Sequence, residues 1–385
     1  MVSDSDTTPS SSPNRLVSLD ALRGFDMIWI IGGDSIGHAL ADMGGANSGI
    51  LGAISTQLNH VGWEGFRFYD LIFPLFVFIV GVSLVYSLTR IVERDGRKAA
   101  MGRVIRRGLL LWFIGIIYYG GWSEGIYNTE ANEGIRLLGV LQRIGLCYLF
   151  AGLLFLYLKP KGLLIALVSL LVSYWAMLSF IPVPGQAAVS FEEGKNLTNW
   201  FDSKYLPFFK YDGTHDPEGI LSTLPAIGTC LMGVFCGLLL RNGTMPQIKK
   251  VTWLVGGGVA CILLGYLWGM QFPVIKKLWT SSYVLIAGGW SALFLASFYW
   301  MIDIKGWQRW AIPFVWIGLN PITIYLLGNV ISFDGLALRV LGGPIQTLAD
   351  SIAQGLGAVI ASVGGVALAW AVCWWMHRRK LYLRL

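Results

Sequence analysis

Residues 69–89 read Tyr69-Asp70-Leu-Ile-Phe-Pro74-Leu-Phe-Val-Phe-Ile-Val-Gly81-Val-Ser-Leu-Val-Tyr86-Ser-Leu-Thr89. After Asp70 no charge interrupts the run until Arg90, and about 20 apolar residues in a row is the length a helix needs to cross the hydrocarbon of a bilayer. The pattern recurs near 16–38, 108–121, 137–158, 162–181, 220–240, 250–271, 280–302, 310–331 and 353–376. The first of these carries charges, and 108–121 is short unless it extends back through Arg106 and Arg107. Of 385 residues 55% are hydrophobic and 13% charged, where a soluble protein carries about 25% charged residues. The apolar surplus must face lipid. Disordered, fibrous and ordinary soluble classes are excluded, and nucleic-acid binding is too, since no soluble face is left for a basic patch. The fold class expected is an all-α polytopic membrane protein with about ten transmembrane helices.

Orientation follows from Lys and Arg, which membrane proteins retain on the cytoplasmic side. With ten spans, nineteen basic residues fall in one set of alternate loops and eight in the other, while Arg23 and Arg143 lie within spans. The bias places both termini in the cytoplasm. Residues 1–14, rich in Ser, Thr, Pro and Asp, lack the basic start of a signal peptide and read as a disordered cytoplasmic tail. Residues 15–385 then form a single transmembrane domain with a long outer loop near 182–219. Loops of that length usually have a function or are disordered. This one mixes Glu192, Glu193, Asp202, Asp212 and Asp216 with aromatics, which suits stacking on a polar sugar or amine and suits the bilayer interface equally. Its Asn196-Leu197-Thr198 triplet is a glycosylation signal only in a secretory-pathway protein. Cys147, Cys230, Cys236, Cys261 and Cys373 sit in apolar runs without a CxxC pair, so they read as core residues and no metal is expected.

Ionisable residues inside a span cost about 2.5–3.5 kcal/mol on insertion scales, so each needs a partner or a job. In the first span Asp20, Arg23, Asp34 and His38 fall on one stripe, with Asp26 further round. Asp20 with Arg23 also reads as a structural ion pair. The segment Asn59-His60-Val-Gly-Trp63-Glu64-Gly65-Phe-Arg67-Phe-Tyr-Asp70 leads into the second span. An imidazole among carboxylates suits general acid–base chemistry, though composition alone favours an exposed loop histidine, and Asp70 also reads as a helix cap. Gln142-Arg143 lies several residues into the fourth span, and a buried guanidinium fits a phosphate or carboxylate. Polar islands at Thr280-Ser281-Ser282 and at Asn320-Pro321 interrupt later spans; a proline break frees carbonyls to line a cavity, and helix packing is the plainer reading.

Together, Arg15-Leu-Val-Ser-Leu-Asp20-Ala-Leu-Arg23-Gly24, the His60–Asp70 segment with Phe73-Pro74, Gly139-Val-Leu-Gln142-Arg143-Ile-Gly145, Leu278-Trp279-Thr-Ser-Ser-Tyr283 and Gly318-Leu-Asn320 resemble the transmembrane acyltransferases related to heparan-α-glucosaminide N-acetyltransferase. The likeness runs in order over roughly residues 15–376. It implies transfer of acetyl from cytosolic acetyl-CoA across the membrane to the amine of a terminal glucosamine. The family's histidine falls on His60, and a neighbouring polar residue, Asn in the lysosomal enzyme, falls on Asp34. That departure leaves open whether Asp34 orients His60, ionises it or is itself the base; Asp70 is the other carboxylate assigned to catalysis. Arg106, Arg107, Arg143 and Gln142 are carried over as contacts to CoA at the cytoplasmic mouth; Trp63, Glu64, Asn320 and Ser282 are the candidate contacts to the amino-sugar acceptor. The absence of an amino-terminal lumenal domain suggests a bacterial inner (plasma) membrane member, and the resemblance implies a homodimer.

Two rivals stand beside the enzyme. An amino-sugar transporter would use ten spans, buried charges and a broken helix at Asn320-Pro321. A scaffold or sensor would leave Arg143 and the polar stripe without a purpose. Dependence on an acyl donor separates the three.

Overall fold

A computed structural model describes residues 16–43, 49–123, 125–128 and 133–383; the tail expected at 1–14 lies outside them. The regular structure of the described residues is nearly all helix: α1 Val17–Asp42, α2 Gly49–Leu58, α3 Phe68–Tyr118, α4 Val140–Tyr157, α5 Pro160–Phe180, α6 Leu197–Tyr205, α7 Thr223–Arg241, α8 Gln247–Gly269, α9 Ser281–Phe298, α10 Ile312–Gly318, α11 Pro321–Val330, α12 Phe333–Leu341, α13 Pro344–Ile352 and α14 Leu356–Arg378. A short hairpin pairs Tyr127 with Gly134 and Asn128 with Glu133. Among the described residues, seven helices are long and apolar enough to cross a membrane, and eight are if α10 and α11, bent by 65° at their junction, make one broken span. Every apolar stretch read from the sequence overlaps one of these helices or α1, whose charges set it apart, and runs no more than a few residues past its ends.

Helix α3 holds two of those stretches. It runs 51 residues but is interrupted at Gly96 (φ 84°, ψ 169°), a conformation open to glycine and costly for any side chain. The chain reverses there: Leu84 and Val104, on either side of Gly96, both press on Gly152 of α4. The second arm therefore extends back through Arg106 and Arg107, which gives the short third stretch its length.

Small residues let the central helices touch. A Cβ on Gly81 of α3 would stand 2.0 Å from the Cys230 carbonyl of α7, and one on Gly233 would stand 2.0 Å from that of Phe78. Backbones this close gain packing that larger residues forbid, the usual device where lipid removes the hydrophobic drive between helices. The core between α1, α3, α7 and α9 is buried, whereas α5 and α8 expose Leu164, Ile165, Val168, Leu263, Leu264 and Leu267. These outward apolar faces fit hydrocarbon.

The 182–219 loop is folded down. Asn196 caps α6, its Oδ1 accepting from Asn199 N at 2.9 Å, and its side chain is wholly buried. The asparagine of the glycosylation triplet is thus an internal cap. Trp63 Nε1 donates to the Phe191 carbonyl at 2.9 Å, tying this loop to the segment before α3. The link between α8 and α9 crosses the same place: Gly65 N donates to the Val274 carbonyl at 2.8 Å, and Glu64 pairs with Ile275 as an antiparallel bridge.

Candidate active site

The first turn of α3 builds one end of the site. Asp70 Oδ2 accepts from Arg67 N at 3.2 Å and Val61 N at 3.3 Å, so the carboxylate satisfies amides at the helix start and gains from the helix dipole there. Asp70 thus closes the start of the helix, as its position suggests, and has a second use. Its Oδ1 lies 2.8 Å from His60 Nδ1. Tyr283 of α9 donates to the Asp70 carbonyl at 2.7 Å, and the imidazole lies against Tyr69, ring centroids 4.6 Å apart. Asp70 is 1% exposed and the His60 side chain 48%. A carboxylate bonded to Nδ1 fixes the tautomer that carries its proton there, leaving Nε2 as the basic nitrogen of a half-exposed ring.

Lys276, in the α8–α9 link, completes the cluster. Its Nζ lies 3.5 Å from Asp70 Oδ1 and 3.0 Å and 3.4 Å from the two ring nitrogens of His60. Burial pulls the ammonium toward losing its proton, against the opposing charges of Asp70, Glu218 and Asp34. Beside it Lys277 bonds Glu193 at 2.7 Å and Asp212 at 3.0 Å. Burial also lowers the proton affinity of His215, which faces those two carboxylates.

Behind this surface lies a buried layer of charge. Arg136 bonds Asp216 through Nε at 2.9 Å and Nη2 at 2.8 Å, and Glu218 at 2.7 Å. Arg143 is fully buried, its guanidinium over the Trp279 ring at 4.9 Å. Arg143 Nη2 bonds Ser222 and the Gly219 carbonyl, while Nε and Nη1 have no hydrogen-bond partner among the described residues. Asp202 Oδ1 accepts from Ile220 N at 2.9 Å. Burial pushes its carboxyl up to about 6, against that bond.

At the far end of the first arm of α3 a cavity of about 640 Å³ is lined by Asp20, Arg23, Arg90, Arg94, Arg103 and Leu319, among others. Arg23 bonds Asp20 at 3.1 Å, Ser83 at 2.6 Å and the Gly318 carbonyl at 3.2 Å. Twenty residues of helix separate Asp70 from Arg90, a span of about 30 Å at 1.5 Å per residue. Four guanidinium groups around a cavity suit a polyanion.

The residues singled out from sequence divide between these places. His60, Asp70, Trp63 and Glu64 gather at one end. Asp34 lies on α1 and pairs with His38, Oδ2 to Nδ1 3.5 Å, both side chains over half exposed. It makes no hydrogen bond to His60, and the polar stripe of α1 is buried only in its Asp20–Arg23 part. Gln142 and Arg143 do not stand with Arg90 and Arg103. They open α4, which begins at the His60 end, and Gln142 Nε2 bonds the Arg136 carbonyl there at 3.0 Å. Arg107 lies over Tyr148 at 4.9 Å, and Arg106 is exposed on the outside of α3; neither lines the cavity. Ser282 is buried and donates to the Phe272 carbonyl at 2.7 Å, a fold-holding bond. Asn320 is also buried, and the segment after α14 fills the break: its Nδ2 donates to the Leu381 carbonyl at 3.1 Å and its Oδ1 accepts from Leu383 N at 3.2 Å.

Lys276, Arg90, Arg94 and Arg103 are not among the site residues the sequence singles out, and Arg23 is singled out there as a partner of Asp20 only. Arg90, Arg94 and Arg103 belong to the nineteen basic residues of the positive side, and four-residue spacing of Arg90 and Arg94 on one helical face is the available signal. Lys276 had none, because its partners are more than 200 residues away in sequence.

The catalytic-domain profile of heparan-alpha-glucosaminide N-acetyltransferase matches residues 15–268. A protein of that name from Mus musculus is 26% identical over 372 residues, covering 83% of this chain and 54% of its own length. The Homo sapiens protein of the same name is 28% identical over 370 residues, covering 82% and 53%. The chain spans about half the length of the curated relatives it matches.

Proposed function

The chain belongs to the family defined by the heparan-alpha-glucosaminide N-acetyltransferase catalytic domain, and from that premise we propose that it is a transmembrane acetyltransferase working between two faces of a membrane. In this reading ten spans place both termini and the arginine-lined cavity in the cytoplasm, and His60 on the outer side. Arg23, Arg90, Arg94 and Arg103 hold the anionic nucleotide of acetyl-CoA. The thin pantetheine arm follows the helices outward. The acceptor is the amine of a glucosamine-like sugar.

The observation that carries the proposal is the His60–Asp70 pair, a half-exposed imidazole on a buried carboxylate at 2.8 Å. An amine must be neutral to attack a thioester. Nε2 of His60 takes a proton from the attacking nitrogen, Asp70 stabilises the resulting imidazolium, and the proton passes to the departing sulfur. An acetyl-histidine intermediate uses the same nitrogen as nucleophile. Asp70 is the carboxylate assigned to His60, in preference to Asp34. The full chain in detergent, given acetyl-CoA with and without glucosamine, tests the reading by release of free thiol. Glucosamine-dependent release that disappears in His60→Ala supports it. Turnover retained in His60→Ala removes His60 from the chemistry, and transport of amino sugar with no donor consumed would replace the enzyme by a carrier.

A further inference from the structure

Asp70 has partners enough without Lys276. Two backbone amides and the His60 imidazole already occupy three of its acceptor positions, and a carboxylate offers about four. A partly buried ammonium, 23% exposed, is therefore not required to satisfy the acid. Its position over the imidazole is equally unexplained by packing. Nζ is nearly equidistant from Nδ1 and Nε2, 3.0 and 3.4 Å, and these nitrogens flank Cε1. Approach in the ring plane would drive the ammonium into that carbon, so it lies over the ring face. There it blocks neither the Nδ1–Asp70 bond nor the lone pair of Nε2. The link that carries it is pinned to the His60 segment by the Gly65–Val274 hydrogen bond and the Glu64–Ile275 bridge. Preorganisation of this kind is what charge stabilisation in a reaction requires.

We propose that Lys276 is a catalytic residue, its ammonium pairing with the negative charge that develops on the acetyl carbonyl oxygen during transfer at His60. The inference rests on the acetyltransferase reading above. In direct transfer the acceptor nitrogen bonds the carbonyl carbon and the C=O π pair moves onto oxygen. That pair returns as the C–S bond breaks, and sulfur leaves with the bonding electrons and receives the proton His60 took from nitrogen. If acetyl passes first to Nε2, the same oxygen takes up the same charge beside the same ammonium. The reacting carbon lies near Nε2 by either route, and a cation 3.4 Å from Nε2 is placed to meet its oxygen.

Lys277 supplies the control. It is the next residue in the link, yet its ammonium is held by Glu193 and Asp212 and not by His60. Thiol release from acetyl-CoA with glucosamine is measured for the full chain in detergent, comparing wild type with Lys276→Met, Lys276→Arg, Lys277→Met and His60→Ala. Loss of one oxyanion donor lowers kcat about 10²–10³-fold, and that fall is expected in Lys276→Met with the KM for acetyl-CoA and the thermal midpoint near wild type. Lys276→Arg keeps a cation at the site and should recover much of the loss, and Lys277→Met should match wild type. Should Lys276→Met fail to fold, Lys276→Gln against Lys276→Arg gives the same kcat comparison. An uncharged variant with wild-type kcat, or one changed only in KM, overturns the proposal while wild type and His60→Ala uphold the acetyltransferase. A wild type that releases no thiol overturns both.

Discussion

Asp70 grips His60 from inside the fold, Oδ1 to Nδ1 at 2.8 Å, and is held in turn by the amides of Val61 and Arg67. One carboxylate thus closes the start of α3 and aims the imidazole. Replacing it with the isosteric Asp70→Asn keeps an acceptor but removes the charge and the preference for one tautomer. In a hydrolase with the same acid–imidazole arrangement that change costs about 10⁴ in kcat; a loss of at least ~10²-fold is expected here. Steady-state thiol release at saturating acetyl-CoA measures it. Activity within a few-fold of wild type would show that Asp70 serves only as a cap.

The arginine-lined cavity makes a separable prediction. A hydrogen bond to a charged group is worth about 1.5–3 kcal/mol. Arg90→Gln and Arg103→Gln should therefore each raise the KM for acetyl-CoA by roughly tenfold or more, with a smaller change in kcat. Arg106→Gln, on the exposed outside of α3, should leave it unchanged. Binding of CoA to the detergent-purified chain by calorimetry checks the order, and equal effects at all three positions would discard the cavity as the donor site.

Asp202 gives stability a pH dependence. Its burial pushes the carboxyl up to about 6, against about 3.9 in an unfolded chain. Between these values the folded protein binds the proton more tightly, so the contribution is complete below about pH 4 and disappears as pH rises through about 6. The loss amounts to no more than about 3 kcal/mol. Asp202→Asn is neutral throughout, so its thermal midpoint should gain on wild type as pH is raised from 4 to 7. A difference that stays constant over this range would mean that Asp202 does not titrate there.

Asn320 depends on the segment after α14. Deleting residues from Leu381 onward strips both partners from a fully buried amide, at a cost of about 1–3 kcal/mol for unsatisfied polar groups. The truncated protein should melt several degrees lower. Because Gly318 and Leu319 line the arginine cavity, its KM for acetyl-CoA should also rise. Unchanged melting and KM would make the tail contact incidental.

Hydropathy made the helices legible, since each apolar stretch has a length set by the bilayer. The His60–Asp70 pair was nearly legible as well, because ten residues of loop and helix start keep both in one neighbourhood. Sequence could not show that Gly96 folds α3 back on itself within one helical run. The role at the cytoplasmic mouth carried over to Arg143 conflicts with the ten-span order itself, which starts 137–158 at the His60 end, and the contacts with Gly219, Ser222 and Trp279 agree with that end. Lys276 and Asn320 were beyond reach because their partners come from distant segments. Local patterning carries no record of such closures.

The first arm of α3 acts as a gauge. Asp70 and Arg90 sit on one helical run, so their separation and relative bearing are both set by the number of residues between them. One residue inserted or removed there would change the spacing by only about 1.5 Å but rotate one end against the other by about 100°. Side chains along this arm can be exchanged while their number cannot, so divergence in this stretch should proceed by substitution and not by insertion or deletion.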